Sequence, residues 1–356
     1  NINKLIMKKN QLGNSELFVS PFCLGTMTYG ETTAEKDAHT QISEAYEAGI
    51  NFIDTAEMYP TCPIKPETTG NTEKIIGNWI SQNKNKRDKI VLATKIVGQG
   101  FKSIRGGTSI NKKSITQAIE GSLKKLQTDY IDLYQLHWPN RGSYHFRRFW
   151  DYNPSLGDSE IIEDEINEQI FTLNNLKRDG KLRAIGLSNE TCWGAMKYVK
   201  VIKNYKNLKI ASIQNEYNLM CRLYDTDLNE FSINENIPLI AYSPLARGLL
   251  TGKYKEKKIP SNSRLSRDGK NLLNEIINDR SMRAVDDYIN LAKEYSINPI
   301  HMALAFCKQR PFMGSVIFGA TNVNQLKVIL KGVDLKLLDE IIVKINLINR
   351  KHPLTF

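Results

Sequence analysis

The chain has 356 residues, 41% hydrophobic and 24% charged, which suits one large α/β domain with a sizeable core. No apolar run approaches the roughly 20 residues that a membrane helix needs, and the first residues, NINKLIMKKNQ, contain no apolar signal-peptide core. The net charge of +11 comes from basic residues spread along the whole length, which argues against a nucleic-acid partner and leaves room for a basic entrance for an anionic cofactor.

Met7 resembles a natural start, with residues 1–6 an extension of no assigned role. Lys8–Leu12 and Leu17–Ser20 flank Gly13-Asn14-Ser15, a turn-rich centre that predicts a β-hairpin. Strand and helix patterns then alternate to the end. Phe22–Gly25 precedes the helix Ala34–Ala48, Phe52–Asp54 precedes Thr72–Gln82, and Ile90–Lys95 precedes Lys113–Leu126. Ile131–His137 precedes a long loop and the helix Ile161–Asp179, Leu182–Ser188 precedes Thr191–Asn204, and Ile210–Gln214 precedes Thr226–Asn236. Pro238–Tyr242 precedes a long polar loop and helices near Asn274–Tyr295 and Pro299–Arg310. Ser315–Phe318 precedes Asn322–Gly332, and Leu335–Ile348 adds a last helix.

Eight strand–helix units predict a (β/α)₈ TIM barrel, with an N-terminal β-hairpin and a C-terminal extra helix, spanning residues 1–356 as one domain. A doubly wound sheet is the runner-up, and it is weakened because no GxGxxG follows the first strand. The five cysteines (Cys23, Cys62, Cys192, Cys221, Cys307) are scattered and form no CxxC. That pattern fits a reducing compartment, the cytoplasm, with no structural metal, an upstream targeting extension aside.

In such a barrel the active site lies at the C-terminal ends of the strands. Those ends read Gly25-Thr26, Asp54, Lys95, His137, Ser188-Asn189, Gln214-Asn215, Tyr242-Ser243 and Gly319, nearly all polar against apolar strand interiors. Tyr59 follows Asp54 by five residues. Singly, each has an ordinary explanation: a turn aspartate, a packed tyrosine, a hydrogen-bonded histidine. Lys95 is harder to dismiss, because lysine is almost never buried unless paired. Together they predict one pocket. A free tyrosine has a pKa of about 10, and a neighbouring ammonium lowers it. An aspartate orients that ammonium, and a neutral histidine donates a hydrogen bond to a substrate oxygen. This set polarises and protonates a carbonyl, and the hydride that completes its reduction requires a nicotinamide cofactor.

DTAEMY, ATK and the strand-end His137 resemble the Asp–Tyr–Lys–His tetrad of the aldo-keto reductases. GTMTYG, GLSN, IQNEYN, AYSPLARGLLTGKY and FGAT resemble the loops of that family. EMYP and HWP are most similar to its bacterial Tas-like branch, and potassium-channel beta subunits are more distant relatives. The resemblance implies Tyr59 as general acid, Asp54 and Lys95 tuning it, and His137 orienting the carbonyl. It implies Ser188, Asn189 and Gln214 on the nicotinamide carboxamide, and Gly25, Thr26 and Met27 against the cofactor. Tyr242, Ser243, Pro244, Leu245 and Arg247 would line its pyrophosphate and ribose.

A phosphate site in these barrels commonly forms from the loops after strands seven and eight. Gly319 permits close backbone approach there, and Thr321 or Asn322 is placed to cap the following helix. By resemblance Lys253, Arg264, Thr321 and Gln325 would bind an adenosine 2′-phosphate, which makes NADPH the expected cofactor. Two positions depart from the family pattern: Val328 and Ile329 stand where relatives carry Glu-Asn for the adenine. The loop Trp138–Glu160, with Tyr144, Phe146, Phe149, Trp150, Tyr152, Arg141, Arg147 and Arg148, reads either as a pocket wall favouring aromatic or anionic carbonyls or as a self-packed surface loop. The expected activity is NADPH-dependent reduction of aldehydes or ketones, on a small-molecule carbonyl partner, with no membrane partner and no oligomeric state specified. The alternative is a nucleotide-binding, redox-sensing regulatory protein with little turnover.

Overall fold

A computed structural model describes residues 7–268 and 276–356. The N-terminal extension and the predicted helix start at Asn274 lie outside the described residues. The hairpin pairs β1 (Asn10–Gln11) antiparallel with β2 (Phe18–Val19). Eight parallel strands follow: β3 (Phe22–Gly25), β4 (Phe52–Asp54), β5 (Val91–Ile96), β6 (Ile131–Leu136), β7 (Leu182–Ser188), β8 (Ile210–Glu216), β9 (Leu239–Tyr242) and β10 (Met313–Phe318). They close in chain order, β10 pairing back onto β3, with helices between successive strands. The predicted (β/α)₈ barrel is therefore the observed one.

Strand residues alternate between two surroundings because side chains on a strand point to opposite faces. Ile53, Leu92, Ile185 and Val316 belong to the cluster that packs under the helices. Cys23, Phe52, Val91, Ala93, Leu133, Ala184, Ala211, Ile240 and Ile317 form a second cluster inside the barrel. Leu12, Leu17 and Val19 of the hairpin join this inner cluster and close the barrel floor. Two residues further along the same faces, the apolar layer gives way to Gly25, Asp54, Lys95, Gln135, Tyr242 and Gly319. The solid base thus carries a polar top.

The helix Lys112–Leu126 shows how local chemistry sets the surrounding layer. Asn111 and Ser114 form a capping box, Ile115, Ala118, Ile119 and Leu126 are buried at helical spacing, and left-handed Gln127 ends it. Helix and strand bounds differ from the sequence reading mostly by one to three residues, as frayed ends do. The last helix differs more, running Asp339–Lys351 instead of Leu335–Ile348. Leu337 is buried and its amide donates to Gln309 Oε1 at 2.6 Å, which holds that stretch against the barrel outside a helix. At the opposite end of the barrel Asp132 binds Arg87 at 2.8 Å and Arg183 at 2.7 Å, an ion cluster remote from the polar top.

Candidate active site

Asp54 is the last residue of β4, and Lys95 stands one residue before the end of β5. Their strands pair in register, Asp54 beside Ala93, which places both side chains on the inner face. The Lys95 ammonium donates to Asp54 Oδ2 at 2.6 Å and to the Thr55 carbonyl at 2.8 Å, and Lys95 is wholly buried. Burial works against its charge, but Asp54 and Tyr59 outweigh burial and raise its pKa. Lys95 Nζ lies 5.0 Å from the Tyr59 ring centre.

Tyr59 is only partly covered by protein. Burial raises its pKa above the ordinary tyrosine value, Lys95 pulls it back, and Asp54 pushes it up again. The pull of Lys95 expected from the sequence is present, but desolvation is the larger effect, so the net shift is upward.

His137 follows β6, and its ring meets that of Tyr59 edge-on at 5.9 Å. Burial and then the Lys95 charge hold its pKa well below the usual histidine range, so the imidazole is neutral at pH 7. Its Nδ1 is buried and makes no hydrogen bond among the described residues. The four residues, predicted from the ends of β4, β5 and β6, therefore meet.

A fifth group, missed from sequence, belongs with them. Gln135 donates to Asp54 Oδ1 at 3.0 Å, and Gln214 donates to the same oxygen at 2.9 Å. Gln135 lies two residues before His137 on the same strand face, so its polarity inside IDLYQLH was the available signal.

Beside this centre Asn189 adopts a left-handed backbone, and its side chain donates to the His137 carbonyl at 2.9 Å and to Ser188 Oγ at 3.1 Å. The Tyr242 hydroxyl donates to Asn189 Oδ1 at 2.7 Å. Thr26 Oγ1 donates to the Asp54 carbonyl at 2.8 Å, while Met27 is partly exposed at the rim. A side chain at Gly25 would sit 2.7 Å from Ile317 Cγ2, so the strand pair needs a glycine there.

After β9 the chain turns sharply through Ser243, Ala246, Arg247 and Gly248, all with positive φ; Pro244 and Leu245 lie within the turn. Burial, then Arg267 and Arg264, lower the pKa of Lys253, which places three cations within electrostatic reach of one another. Arg267 was not singled out from sequence. Across the gap Asn322 caps the helix Val323–Leu330, accepting from the Gln325 amide at 3.0 Å, and Gln325 Oε1 accepts from the Thr321 amide at 3.0 Å. Gly319 is exposed, and an added side-chain carbon would meet only the Gly25 carbonyl, at 3.7 Å. Ile329 is buried and Val328 is 37% exposed, so neither apolar side chain offers a polar contact.

The surroundings of Tyr59 are apolar on one side. Ala56, Met58 and Val97 pack with Tyr59, Phe101, Ile104 and Trp138. Phe146 meets Trp138 edge-on at 5.9 Å. The loop that carries Phe146 is tied to the barrel: Arg141 pairs with Glu190, Ser143 Oγ donates to the Asn189 carbonyl at 2.8 Å, and Arg147 reaches Glu216 at 2.9 Å. Arg105 grips Glu57 with two bonds of 2.7 and 2.6 Å. Arg141, Arg147 and Arg105 thus each have a carboxylate partner, and Trp150 is 68% exposed.

Among the described residues no cluster of His, Cys, Asp or Glu is arranged to hold a metal, and no helix is long and apolar enough to cross a membrane. Residues 21–350 match the model of the Aldo/keto reductase family. Its members are oxidoreductases acting on small-molecule carbonyls, generally with nicotinamide cofactors. The chain is 37% identical over 350 residues to Protein tas of Escherichia coli (strain K12), covering 97% of this chain and 99% of that one. It is 31% identical over 346 residues to the uncharacterized oxidoreductase YrpG of Bacillus subtilis (strain 168), covering 96% and 95%. It is 30% identical over 334 residues to a probable voltage-gated potassium channel subunit beta of Arabidopsis thaliana, covering 92% of each. With a closed eight-stranded barrel, a buried Asp–Lys pair beneath a tyrosine, and matches along nearly the whole length, the chain belongs to the aldo/keto reductase family.

Proposed function

We propose that this chain reduces aldehydes or ketones to alcohols with NADPH, Tyr59 delivering the proton. The observation that carries the reading is the wholly buried Lys95 ammonium, paired with Asp54 at 2.6 Å and 5.0 Å from the Tyr59 ring. Burying a charge is costly unless it is paired, and this one stabilises negative charge on the phenol oxygen.

A reduced nicotinamide supplies a hydride when bound. Two electrons and that hydrogen go to the carbonyl carbon, and the oxygen takes the Tyr59 proton, so C=O becomes CH–OH. Neutral His137 has an N–H to donate to the carbonyl oxygen and orients it. The phenolate left on Tyr59 is held by Lys95 until solvent returns a proton.

The residues present fit such a cofactor. The Gln214 nitrogen faces Asp54, so its Oε1 is the end left to accept from a carboxamide, with Ser188 and Asn189 alongside. Gly25, Thr26 and Met27 border the same space. The strained turn Ser243–Gly248, with Tyr242, Pro244, Leu245 and Arg247, suits the pyrophosphate and ribose. Lys253 and Arg264, joined by Arg267, suit a 2′-phosphate opposite Gly319, Thr321 and Gln325, because guanidinium forks match phosphate oxygens.

Neutralised Arg141, Arg147 and Arg105 and the apolar residues beside Tyr59 favour a neutral carbonyl with an aromatic or aliphatic body over an anionic one. The whole chain is proposed to act as one barrel domain in the cytoplasm. The test is to mix purified protein and NADPH with neutral and carboxylated aldehydes and follow loss of the reduced cofactor. Turnover of the neutral set supports the reading. Tight cofactor binding without turnover on any aldehyde would favour a regulatory role, the class suggested by the printed name of the Arabidopsis relative.

A further inference from the structure

We propose that Gln135 is a positioning residue that locks the Asp54 carboxylate and the Gln214 amide to each other, joining the proton-delivery centre to the nicotinamide site. Gln135 is wholly buried one residue before the end of β6, beside Lys95 on one neighbouring strand and Gly186 on the other. Asp54 Oδ2 is taken by Lys95, and Oδ1 accepts from Gln135 Nε2 at 3.0 Å and Gln214 Nε2 at 2.9 Å. Gln214 Nε2 also donates to Gln135 Oε1 at 3.0 Å.

These bonds fix both amides without ambiguity. An ionised carboxylate only accepts, so each glutamine must turn its NH₂ to Oδ1. Both hydrogens of Gln214 are then committed, one to Asp54 and one to Gln135, and its carbonyl oxygen is turned away from the ring of bonds. Gln135 is what commits the second hydrogen. Without it Gln214 keeps only its bond to Asp54, and Asp54 Oδ1 loses one of two side-chain donors.

Gly186 is part of the same device. Its φ is not positive, so its backbone does not call for glycine. A side-chain carbon there would lie 3.0 Å from Gln135 Cγ and 3.2 Å from Ser212 Oγ. The missing side chain is the space through which Gln135 crosses the barrel.

The proposal rests on the carbonyl-reductase reading for its turnover arm and stands apart from it in its binding arm. The experiment titrates wild type, Gln135→Met, Gln214→Met and the double variant with NADPH and with 2′-phospho-ADP-ribose, which lacks the nicotinamide. Gln135→Met removes a bond to the Asp54 carboxylate and the neutral one from Gln214, and loss of the latter predicts NADPH about threefold to tenfold weaker with 2′-phospho-ADP-ribose unchanged. The double variant should be no weaker than the weaker single one, because both break the same unit. In turnover, Gln135→Met should lower kcat by about tenfold with the carbonyl KM within about twofold. Gly186→Ala should give a smaller defect of the same kind, which covers the case in which Gln135→Met does not fold.

Equal affinity of wild type and Gln135→Met for NADPH, additive effects in the double variant, or equal losses for both ligands would overturn the proposal. Absence of turnover in wild type would instead remove the carbonyl-reductase reading and leave the binding arm to decide this one.

Discussion

At the residue scale, the centre depends on one buried cation. Lys95→Met should have two separable consequences. Removing the ammonium leaves Asp54 buried and unpaired, which costs on the order of 3–5 kcal/mol of stability in chemical denaturation. It also removes the influence that lowers the Tyr59 pKa, so that pKa, already above the usual tyrosine value, rises further. The sign follows: a phenol harder to ionise is a weaker acid, so the reduction rate falls by roughly 10²-fold and its alkaline limb moves to higher pH. In wild type the rate should not fall on the alkaline side until beyond about pH 10, because the raised pKa keeps Tyr59 protonated there. A pH–rate profile that stays in place on substitution would detach Lys95 from Tyr59.

Arg264 gives the cofactor prediction at this scale. Its replacement by Ala removes a charge-assisted contact of about 1.5–3 kcal/mol, so NADPH should bind roughly 10- to 100-fold more weakly and NADH nearly as before. Equal losses for the two would place Arg264 away from the 2′-phosphate. The convergence of Asp54, Tyr59, Lys95 and His137 was legible in the sequence, since they stand at or just past strand ends. Gln135 was not, because its partners Asp54 and Gln214 lie far from it in sequence and only the closed barrel brings them together. The upward shift of Tyr59 was not legible either, because it comes from burial by parts of the chain remote in sequence.

At the element scale, the long loop after β6 is held to the barrel by ion pairs and aromatic contacts. Trp138 packs in the cluster around Tyr59 and meets Phe146, while Tyr144, His145, Phe146 and Phe149 line a small cavity with Asn215, Glu216 and Tyr224. Its arginines were open to an anion-binding reading because sequence does not show their partners. Glu190 follows Asn189 at the end of β7 and Glu216 ends β8, so the loop is pinned beside two proposed cofactor residues. Arg141→Met leaves Glu190 buried without its cation, and it should destabilise the fold by about 3 kcal/mol. Proteolysis of this loop should quicken as well, measured by cleavage under native conditions. Stability and cleavage equal to wild type would show that the pair does not hold the loop.

At the scale of the whole molecule, the barrel was legible because each strand is short, apolar and followed by an amphipathic helix, and eight such units close a ring. The start of the last helix was not, because Leu335 and Leu337 look helical in sequence but pack in an irregular stretch before it. The division of labour along the barrel axis follows from the same alternation. The hairpin seals the base with Leu12, Leu17 and Val19, Asp132 with Arg87 and Arg183 clamps one end, and the polar inner layer at the other end holds the proposed site.

That division makes Tyr59→Phe the most direct test, because the ring and its packing remain and only the acidic hydrogen is lost. Single-turnover reduction of a neutral aromatic aldehyde by NADPH should slow by roughly 10²- to 10⁴-fold, with NADPH affinity and melting temperature as in wild type. A rate within a few-fold of wild type, with the cofactor still bound, would contradict Tyr59 as the proton donor and with it the role assigned to the buried Asp54–Lys95 pair.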